Sequence, residues 1–276
     1  MLKQNPEAEG AQKMGLLARF KALPLDSAPR TITVAVVLCL VCSMIVSAAA
    51  VMLRPQQELN RALDKKVNIL MVAGLYEPGI DVAETFKTIE PRLVDMETGT
   101  FTDIADPLTY NQRAAAQDPA QSIALENDLA SIGRQAKVAA VYLIRDDAGE
   151  IDRIILPVHG YGLWSTMYGF VALKADGNEV YGMRFYEHAE TPGLGAEVDN
   201  PRWLAQWPGK KIYGDDGEVR LSVAKSAPSA PDAMDYHIDT LSGATLTARG
   251  VDNLVKFWMG DQGFKPFLDN LKNGDA

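Results

Sequence analysis

The chain has 276 residues, 47% of them hydrophobic, so it can bury the core of one large domain or two small ones and is not a disordered chain. Its formal charge of −9 excludes a nucleic-acid binder unless a basic face is hidden within an acidic protein. The two cysteines and three dispersed histidines exclude a disulfide scaffold and an all-cysteine cluster. We therefore expect neither a nucleic-acid partner nor a metal centre built by this chain alone.

The first predicted element is a transmembrane helix. The run from Thr31 to Leu53 contains no charged residue and is long enough to cross a hydrocarbon core of about 30 Å. A cleaved signal peptide is the alternative, because Ala48, Ala49 and Ala50 are similar to a processing site. The segment 1–30 is long for a signal leader, and apolar residues continue past the alanines, which favours the anchor.

Both interpretations place the acidic remainder of the chain across the membrane. Residues 1–53 have a net charge of +2 and residues 54–276 a net charge of −11. The Lys and Arg counts beside the apolar run are equal on its two sides, so the orientation rests on the short arm and the long domain. We predict a short cytoplasmic arm over 1–30, a single-pass helix over 31–53, and a domain over 54–276 on the far side of the membrane.

The predicted helix carries small side chains every four residues: Ala35, Cys39, Ser43 and Ser47. Such a ridge allows close backbone approach in lipid and predicts a partner helix, although small residues are also common in membrane spans for no specific reason. The Cys39-x-x-Cys42 spacing resembles a redox motif. Within an apolar run, however, these thiols are expected to be inert.

Beyond the anchor, the pattern predicts helices around a strand-rich segment. A helical stalk over Gln56–Leu75 follows a break at Arg54-Pro55. Helical character is also predicted for Ala120–Gln135, and apolar spacing from Leu246 predicts a last helix that ends at about Gly260.

The strand-rich segment consists of two predicted hairpins. Their turns are the polar runs Asp-Asp-Ala-Gly and Ala-Asp-Gly-Asn. Strands grouped between helices favour an α+β fold, with a mixed helix and antiparallel-sheet domain, over a doubly wound parallel sheet. The strand ranges are Val138–Arg145 with Ile151–Val158, and Tyr168–Lys174 with Glu179–Tyr186.

The segment from Asp239 to Thr247 comes just before the last helix. By itself, Ser242-Gly243 is typical of a turn, and a threonine is common at a helix start. A helix N-terminus also favours a phosphate, because free N–H groups and the dipole point at it. Small residues at Gly243 and Ala244 would let a bulky group approach Thr245.

The pattern Asp239-x-x-Ser242-Gly243-Ala244-Thr245 resembles the flavinylation motif of the covalent FMN-binding domain family. In that family, a separate flavin transferase takes FMN from FAD and esterifies its phosphate to the motif threonine. The resemblance implies that Thr245 is the attachment residue and that Asp239, Gly243 and Ala244 are required by the transferase. An enzyme is needed because a threonine hydroxyl is a poor nucleophile unaided. Ala248-Arg249 departs from the family, in which a serine comes first, but it lies outside that core.

A second segment, Glu190-Thr-Pro-Gly-Leu-Gly195, would alone be typical of a strand-to-loop turn. It resembles the family run that wraps the isoalloxazine ring. The resemblance implies that Glu190, Thr191, Gly193 and Leu194 contact the flavin. His188 and His237 adjoin the two motifs, but a surface or packed histidine is the simpler interpretation of each.

A third segment, Gly160 to Gly169 (GYGLWSTMYG), is similar to a run in the NqrC family, whose members are subunits of the Na+-translocating NADH:quinone reductase. The resemblance implies that Trp164 and Ser165 line the flavin, although Trp164 could instead be a core residue. Related RnfG proteins share the other two motifs but not this tryptophan run. The anchor, the stalk and the length also resemble NqrC, so the resemblance covers nearly the whole chain.

The resemblance implies an electron carrier with one covalent FMN per chain and no complete reaction of its own. It also implies that the membrane is a bacterial inner membrane and that the domain over 54–276 is periplasmic. Its partners would be the other membrane, flavin and iron–sulfur subunits of the reductase, and a flavin transferase during maturation. Two alternatives stay open: an RnfG-like flavoprotein of a related ion-translocating reductase, and a membrane-anchored scaffold without flavin.

Overall fold

The computed structural model describes residue 24 and residues 26–276. Most of the predicted arm over 1–30 therefore lies outside the described residues. The chain divides into two compact units, with the boundary between Arg61 and Ala62.

The first helix, α1, runs without interruption from Ala28 to Val72. The predicted break at Arg54-Pro55 is wrong, because Pro55 lies inside the helix. Proline removes only one i→i−4 hydrogen bond, and the next turn is supported by an Arg54–Glu58 ion pair at 3.1 Å. Among the described residues, α1 is the one helix that is long and apolar enough to cross a membrane. The small residues of the predicted ridge are exposed on it, so the ridge stays a prediction.

The second unit, from Ala62 onward, is a mixed helix and antiparallel-sheet domain, so the predicted α+β class is confirmed. Short 3₁₀ turns at Phe86–Thr88, Gly195–Asp199 and Pro231–Tyr236 complete it. After α1, its helices and strands in chain order are α2 (Val82–Thr85), β1 (Ile89–Asp95), β2 (Thr100–Thr102), α3 (Gln112–Gln117), β3 (Ser122–Ala124), β4 (Arg134–Ala136), β5 (Val138–Arg145), β6 (Ile151–Tyr161), β7 (Thr166–Lys174), β8 (Val180–Glu187), α4 (Pro201–Leu204), β9 (Ser222–Ala224), β10 (His237–Asp239), α5 (Thr245–Trp258) and α6 (Lys265–Asn273).

One six-stranded antiparallel sheet, in the order β2-β1-β5-β6-β7-β8, has an apolar layer on each face. Strand β5 shows how this is encoded. Its odd-numbered residues, such as Val141, join the cluster that contains α5, and its even-numbered residues, such as Tyr142, join the cluster that contains Ile69 and Leu70 of α1. Because successive side chains of a strand point to opposite faces, a continuous apolar run is required when both faces are covered.

The two predicted hairpins are confirmed, with their strand ends shifted by a few residues. An aspartate organises each turn. Asp146 accepts hydrogen bonds from the backbone N–H of Ala148 and Glu150, and Asp176 accepts from those of Asn178 and Glu179. Such aspartate turns are the reason that short polar runs predict hairpins.

The helix predicted over Ala120–Gln135 is wrong. The segment forms the short antiparallel strands β3 and β4 with a loop between them. Two residues of that loop have left-handed backbone, Ser131 at φ 54° and Gly133 at φ 73°, which ends any helix. The side chain of Asp128 accepts a hydrogen bond from the Gly133 N–H, so local turn chemistry overrides helix propensity here.

The last predicted helix is confirmed as α5, which packs on β6 and β9. Its buried residues include Val251, Leu254 and Trp258, and the Trp258 indole N–H donates to the His159 carbonyl at 2.6 Å. The parallel pair β9 and β10 leads the chain to the start of α5. The attachment motif therefore occupies the turn between a paired strand and an anchored helix.

Candidate functional site

The motif threonine is the first residue of α5. Ala244 is its N-cap residue, and the Ala248 N–H donates the first intrahelical bond to the Ala244 carbonyl at 3.0 Å. Gly243 has φ 74°, a left-handed conformation that suits glycine and turns the chain into the helix. The Thr245 side chain is exposed, and no hydrogen-bond partner for its hydroxyl occurs among the described residues. The N–H groups of this first turn have no acceptor within the helix and point outward.

Two residues later, Thr247 is buried, with 1% of its surface exposed. Its hydroxyl donates to Glu190 Oε2 at 2.6 Å. Glu190 is also buried, at 4% exposed, and its Oε1 accepts from the backbone N–H of Leu163 at 3.0 Å and of Trp164 at 2.9 Å. One carboxylate thus joins all three motifs, and we call it the Glu190 hub, defined by Glu190, Leu163, Trp164 and Thr247.

The hub carboxylate is held in its ionised form. Burial raises the pKa of Glu190, but hydrogen bonds from Thr247 and from the backbone N–H of Trp164 and Leu163 outweigh it, so the pKa lies below its usual value. A buried carboxylate needs such donors, since an unpaired one would pay the full cost of lost hydration.

Two glycines make the hub geometrically feasible. A Cβ at Gly162 would lie 2.5 Å from Glu190 Oε1, and a Cβ at Gly195 would lie 2.5 Å from Thr247 Oγ1. These approaches leave no room for a side chain. Because both positions are glycine, the backbone of the two loop motifs can lie directly against the Glu190 carboxylate.

Exposed apolar side chains occur in all three motifs: Trp164 is 63% exposed, and Leu163, Leu194 and Leu246 are each at least 40% exposed. A Cβ placed on Gly243 would lie 3.2 Å from Leu194, so the second motif adjoins the attachment turn. The core alternative for Trp164 does not hold, because its side chain is on the surface.

The other predicted residues occupy the same region with different roles. The Ser165 hydroxyl accepts a hydrogen bond from the backbone N–H of Ala189 at 2.8 Å. This bond connects the tryptophan run to the second motif. Thr191 and Gly193 are exposed, as is Ser242. Gly193 has φ 74° with open space where a Cβ would be, which leaves room beside this loop.

Asp239 ends strand β10 and presents its side chain to solvent. Its backbone is fixed by the Trp203 indole, which donates to its carbonyl at 2.7 Å, and by Gln206, which accepts its N–H at 2.9 Å. The buried His237 contacts the Asp239 carboxylate at 3.0 Å. The other motif histidine, His188, pairs with Asp199 at 2.7 Å.

The hub is not evident from the motifs alone. The resemblance implies that Glu190 contacts the flavin, whereas the carboxylate is bonded within the protein. Contact of this residue with flavin stays a prediction. Thr247 received no role, although its position two residues from Thr245 was the available signal. Residues two positions apart on a helix point about 200° away from each other. Because one side of α5 is buried, only one of the two threonines faces solvent.

The comparisons with known proteins decide the family. The FMN-binding domain family model matches residues 162–260. The NqrC protein of the Na+-translocating NADH-quinone reductase of Pseudomonas aeruginosa is 50% identical over 258 residues, which cover 91% of this chain and 98% of that protein. This chain belongs to the NqrC family. The NqrC protein of Vibrio anguillarum is likewise 50% identical over 252 residues, covering 90% of this chain and 97% of that protein.

The fold agrees with that of solved NqrC structures. The crystal structure of Shewanella oneidensis NqrC matches with a TM-score of 0.72 and 35% identity, covering 78% of this chain and 99% of that one. NqrC from Parabacteroides distasonis matches with a TM-score of 0.60 and 27% identity, covering 78% and 96%. The resemblance seen in the motifs is thus confirmed, and FMN is the cofactor of the matched domain.

Proposed function

We propose that this chain is the subunit of a Na+-translocating NADH:quinone reductase that relays electrons through one FMN, attached by a phosphoester bond to Thr245. The observation that carries the attachment site is the contrast between two hydroxyls of one helical turn. Thr245 is exposed and uncommitted, whereas Thr247 is buried and bonded to Glu190. The chain completes no reaction alone, because electrons must enter and leave through other subunits.

The residues around Thr245 fit an FMN. The exposed apolar side chains of Leu163, Trp164, Leu194 and Leu246 offer a surface that a flat aromatic ring would cover. The first turn of α5 offers outward N–H groups and the positive end of the helix dipole to a phosphate. Charge and shape therefore match the two ends of the cofactor.

The chain's part in attachment is to supply the nucleophile. The Thr245 oxygen forms a bond to the FMN phosphorus of FAD while the phosphoanhydride P–O bond breaks, AMP leaves with the electron pair, and the hydroxyl proton is released. A flavin transferase must catalyse this step, because nothing in the described part of the chain activates the Thr245 hydroxyl. Ser242, Gly243 and Ala244 keep the approach free of large side chains.

Once attached, FMN supplies reversible electron uptake, while the protein supplies position and electrostatics. The Glu190 hub holds the Trp164 run, the Thr191 to Leu194 loop and the start of α5 in one arrangement. Its buried negative charge, together with the outward N–H groups of α5, sets the field beside the ring. The hub thereby prepares the cofactor surface before the flavin arrives.

We also propose the membrane arrangement. The apolar run over 31–53 of α1 spans the bacterial inner membrane, residues 1–30 lie in the cytoplasm and residues 54–276 in the periplasm. Its small-residue ridge faces a helix of another reductase subunit. Support comes from the apolar exposed surface of α1 and from the relatives, which are subunits of a reductase named for Na+ translocation.

Thiol labelling tests this orientation. Both native cysteines lie in the apolar run and are replaced by alanine, and one cysteine is then placed at the exposed Asp147 or, as a control, at Lys13. A membrane-impermeant reagent added to intact cells should label Asp147→Cys and leave Lys13→Cys unlabelled until lysis. The reverse pattern would overturn the proposed orientation.

The attachment is tested on denatured protein after co-expression with a flavin transferase. Wild type should give a fluorescent band on a denaturing gel, Thr245→Val a dark band, and Thr245→Ser, which keeps a hydroxyl, a fluorescent one. Thr247→Val is the neighbouring control and should stay fluorescent. A dark wild-type band, with the transferase active on another acceptor, would leave the scaffold interpretation.

A further inference from the structure

Strand β10 carries a buried histidine that hydrogen-bonds an exposed aspartate. His237 is 6% exposed, whereas the Asp239 side chain is 68% exposed. Residues two apart on a strand point to the same face, which brings His237 Nε2 within 3.0 Å of Asp239 Oδ1. The carboxylate can only accept, so Nε2 carries the proton and donates it.

The backbone of Asp239 is fixed as well. The Trp203 indole donates to its carbonyl, the Gln206 side chain accepts its N–H, and β10 pairs with β9 so that Asp239 lies opposite Ala224. An ordinary surface carboxylate has several rotamers and no fixed direction. Here one oxygen is tethered from beneath and the rest of the group remains exposed, so the charge has a defined orientation at the surface.

This oriented carboxylate opens the attachment motif. Five residues lie between Asp239 and Thr245, and this segment turns at Gly243 into α5. The Glu190 hub uses none of these groups. The His237–Asp239 pair therefore has no part in the hub, and the exposed side of the Asp239 carboxylate is open to solvent.

We infer that His237 is a positioning residue for flavin attachment: it holds the Asp239 carboxylate in the direction that the FAD-dependent flavin transferase engages while it loads Thr245. The inference rests on the proposed attachment at Thr245. The partner's complementary chemistry is a cationic or N–H donor group that binds the free side of the carboxylate. His237 itself touches neither FAD nor the hydroxyl.

The test follows the rate of covalent flavin incorporation into purified full-length protein in detergent, with FAD, Mg²⁺ and a purified flavin transferase, over a range of acceptor concentrations. His237→Met removes the donor and should raise the KM for the acceptor by about fivefold, the worth of one hydrogen bond, with the final one flavin per chain still reached. His237→Gln places an amide N–H near the position of Nε2 and should restore most of the lost rate. Asp235→Asn, a nearby exposed carboxylate paired with Lys211, is the matched control and should load like wild type.

A double-mutant cycle identifies the path of the effect. In the Asp239→Ala background, with the transferase concentration raised until the residual loading is measurable, His237→Met should change the loading rate no further, because the carboxylate it orients is gone. Thermal unfolding of each variant is measured in parallel. Misfolded acceptor lowers the final extent of loading, whereas lost positioning lowers only the initial rate.

The outcomes separate the inference from the proposed function. If wild type acquires no covalent flavin, the attachment proposal fails. If wild type loads and His237→Met loads equally fast, or His237→Gln is no better than His237→Met, or the two substitutions act additively, the positioning role of His237 is overturned while Thr245 attachment stands.

Discussion

Thr245 and Thr247 carry the same hydroxyl in the same helical turn, yet they belong to two different regions of the molecule. Thr245 lies on the exposed surface, with apolar side chains around it, and Thr247 lies in the buried polar layer beneath, bonded to Glu190. Residue type therefore does not decide which hydroxyl can be modified. The direction of the side chain decides it, because residues two positions apart on a helix point about 200° away from each other.

The buried layer should carry stability, and the largest effect is expected from Glu190→Ala. It leaves the Leu163 and Trp164 N–H groups and the Thr247 hydroxyl without their acceptor, which should lower the free energy of unfolding by about 3 kcal/mol. Urea denaturation measures this. Glu187→Ala, an exposed carboxylate that pairs with Arg113, is the matched control and should cost less than about 1 kcal/mol. Equal losses in the two variants would show that the hub is not a stabilising feature.

The two threonines should then separate stability from attachment. Thr247→Val keeps the side-chain volume but removes one donor to Glu190, so it should cost about 1 to 2 kcal/mol while flavin loading persists. Thr245→Val should change stability by less than about 0.5 kcal/mol and abolish loading. The urea denaturation midpoint measures the stability of each variant, and fluorescence on a denaturing gel measures its flavin loading. A folded Thr247→Val protein that cannot be loaded would assign the buried hydroxyl a direct part in attachment.

Low pH should reduce the stability that the Glu190 carboxylate contributes. Because the pKa of Glu190 in the folded protein lies below its unfolded value, the carboxylate contributes stability fully above the unfolded pKa, and this contribution is lost as the pH falls through the lower, folded pKa. Wild type should therefore lose more stability than Glu190→Gln between about pH 5 and pH 3. Other carboxylates with lowered pKa, such as Glu90 beside Arg145, are common to both proteins and cancel. Parallel pH profiles of the two urea midpoints would contradict this role.

FMN loading should cover Trp164 on the exposed surface and leave the stability of the protein unchanged. Of the four tryptophans, Trp164 is exposed, whereas Trp203, Trp207 and Trp258 are buried. Acrylamide should quench mainly the Trp164 emission in flavin-free protein, and this accessible fraction should disappear on FMN loading and in Trp164→Phe. An unchanged accessible fraction after loading would show that the ring does not cover Trp164.

The sequence predicts the elements that are encoded locally. The two central hairpins follow from apolar runs and aspartate turns, and α5 follows from apolar spacing. The segment Ala120–Gln135 could not be predicted in this way, because its helix-forming residues are overridden by the left-handed turn at Ser131 and Gly133. Strand β1 was not identified either; it pairs with β5, more than forty residues further along the chain, and such long-range pairing leaves little local signal.

The motifs predict which segments form the site but not how each side chain is used. The three segments do converge on the start of α5. The inward direction of Glu190 depends on close backbone approaches at Gly162 and Gly195, which only the folded chain reveals. His237 is similar: its two-residue spacing from Asp239 indicates a shared face only once the segment is known to be a strand.

The proposed function depends on a flavin attached to Thr245, and peptide mass spectrometry can locate that flavin on a single residue. After co-expression with a flavin transferase, trypsin cleavage at Lys225 and Arg249 releases a peptide, 226–249, that contains Thr240, Ser242, Thr245 and Thr247. We expect one FMN per peptide, with fragment ions that assign it to Thr245. Assignment to any of the other hydroxyls, or an unmodified peptide from cells with an active transferase, would contradict it.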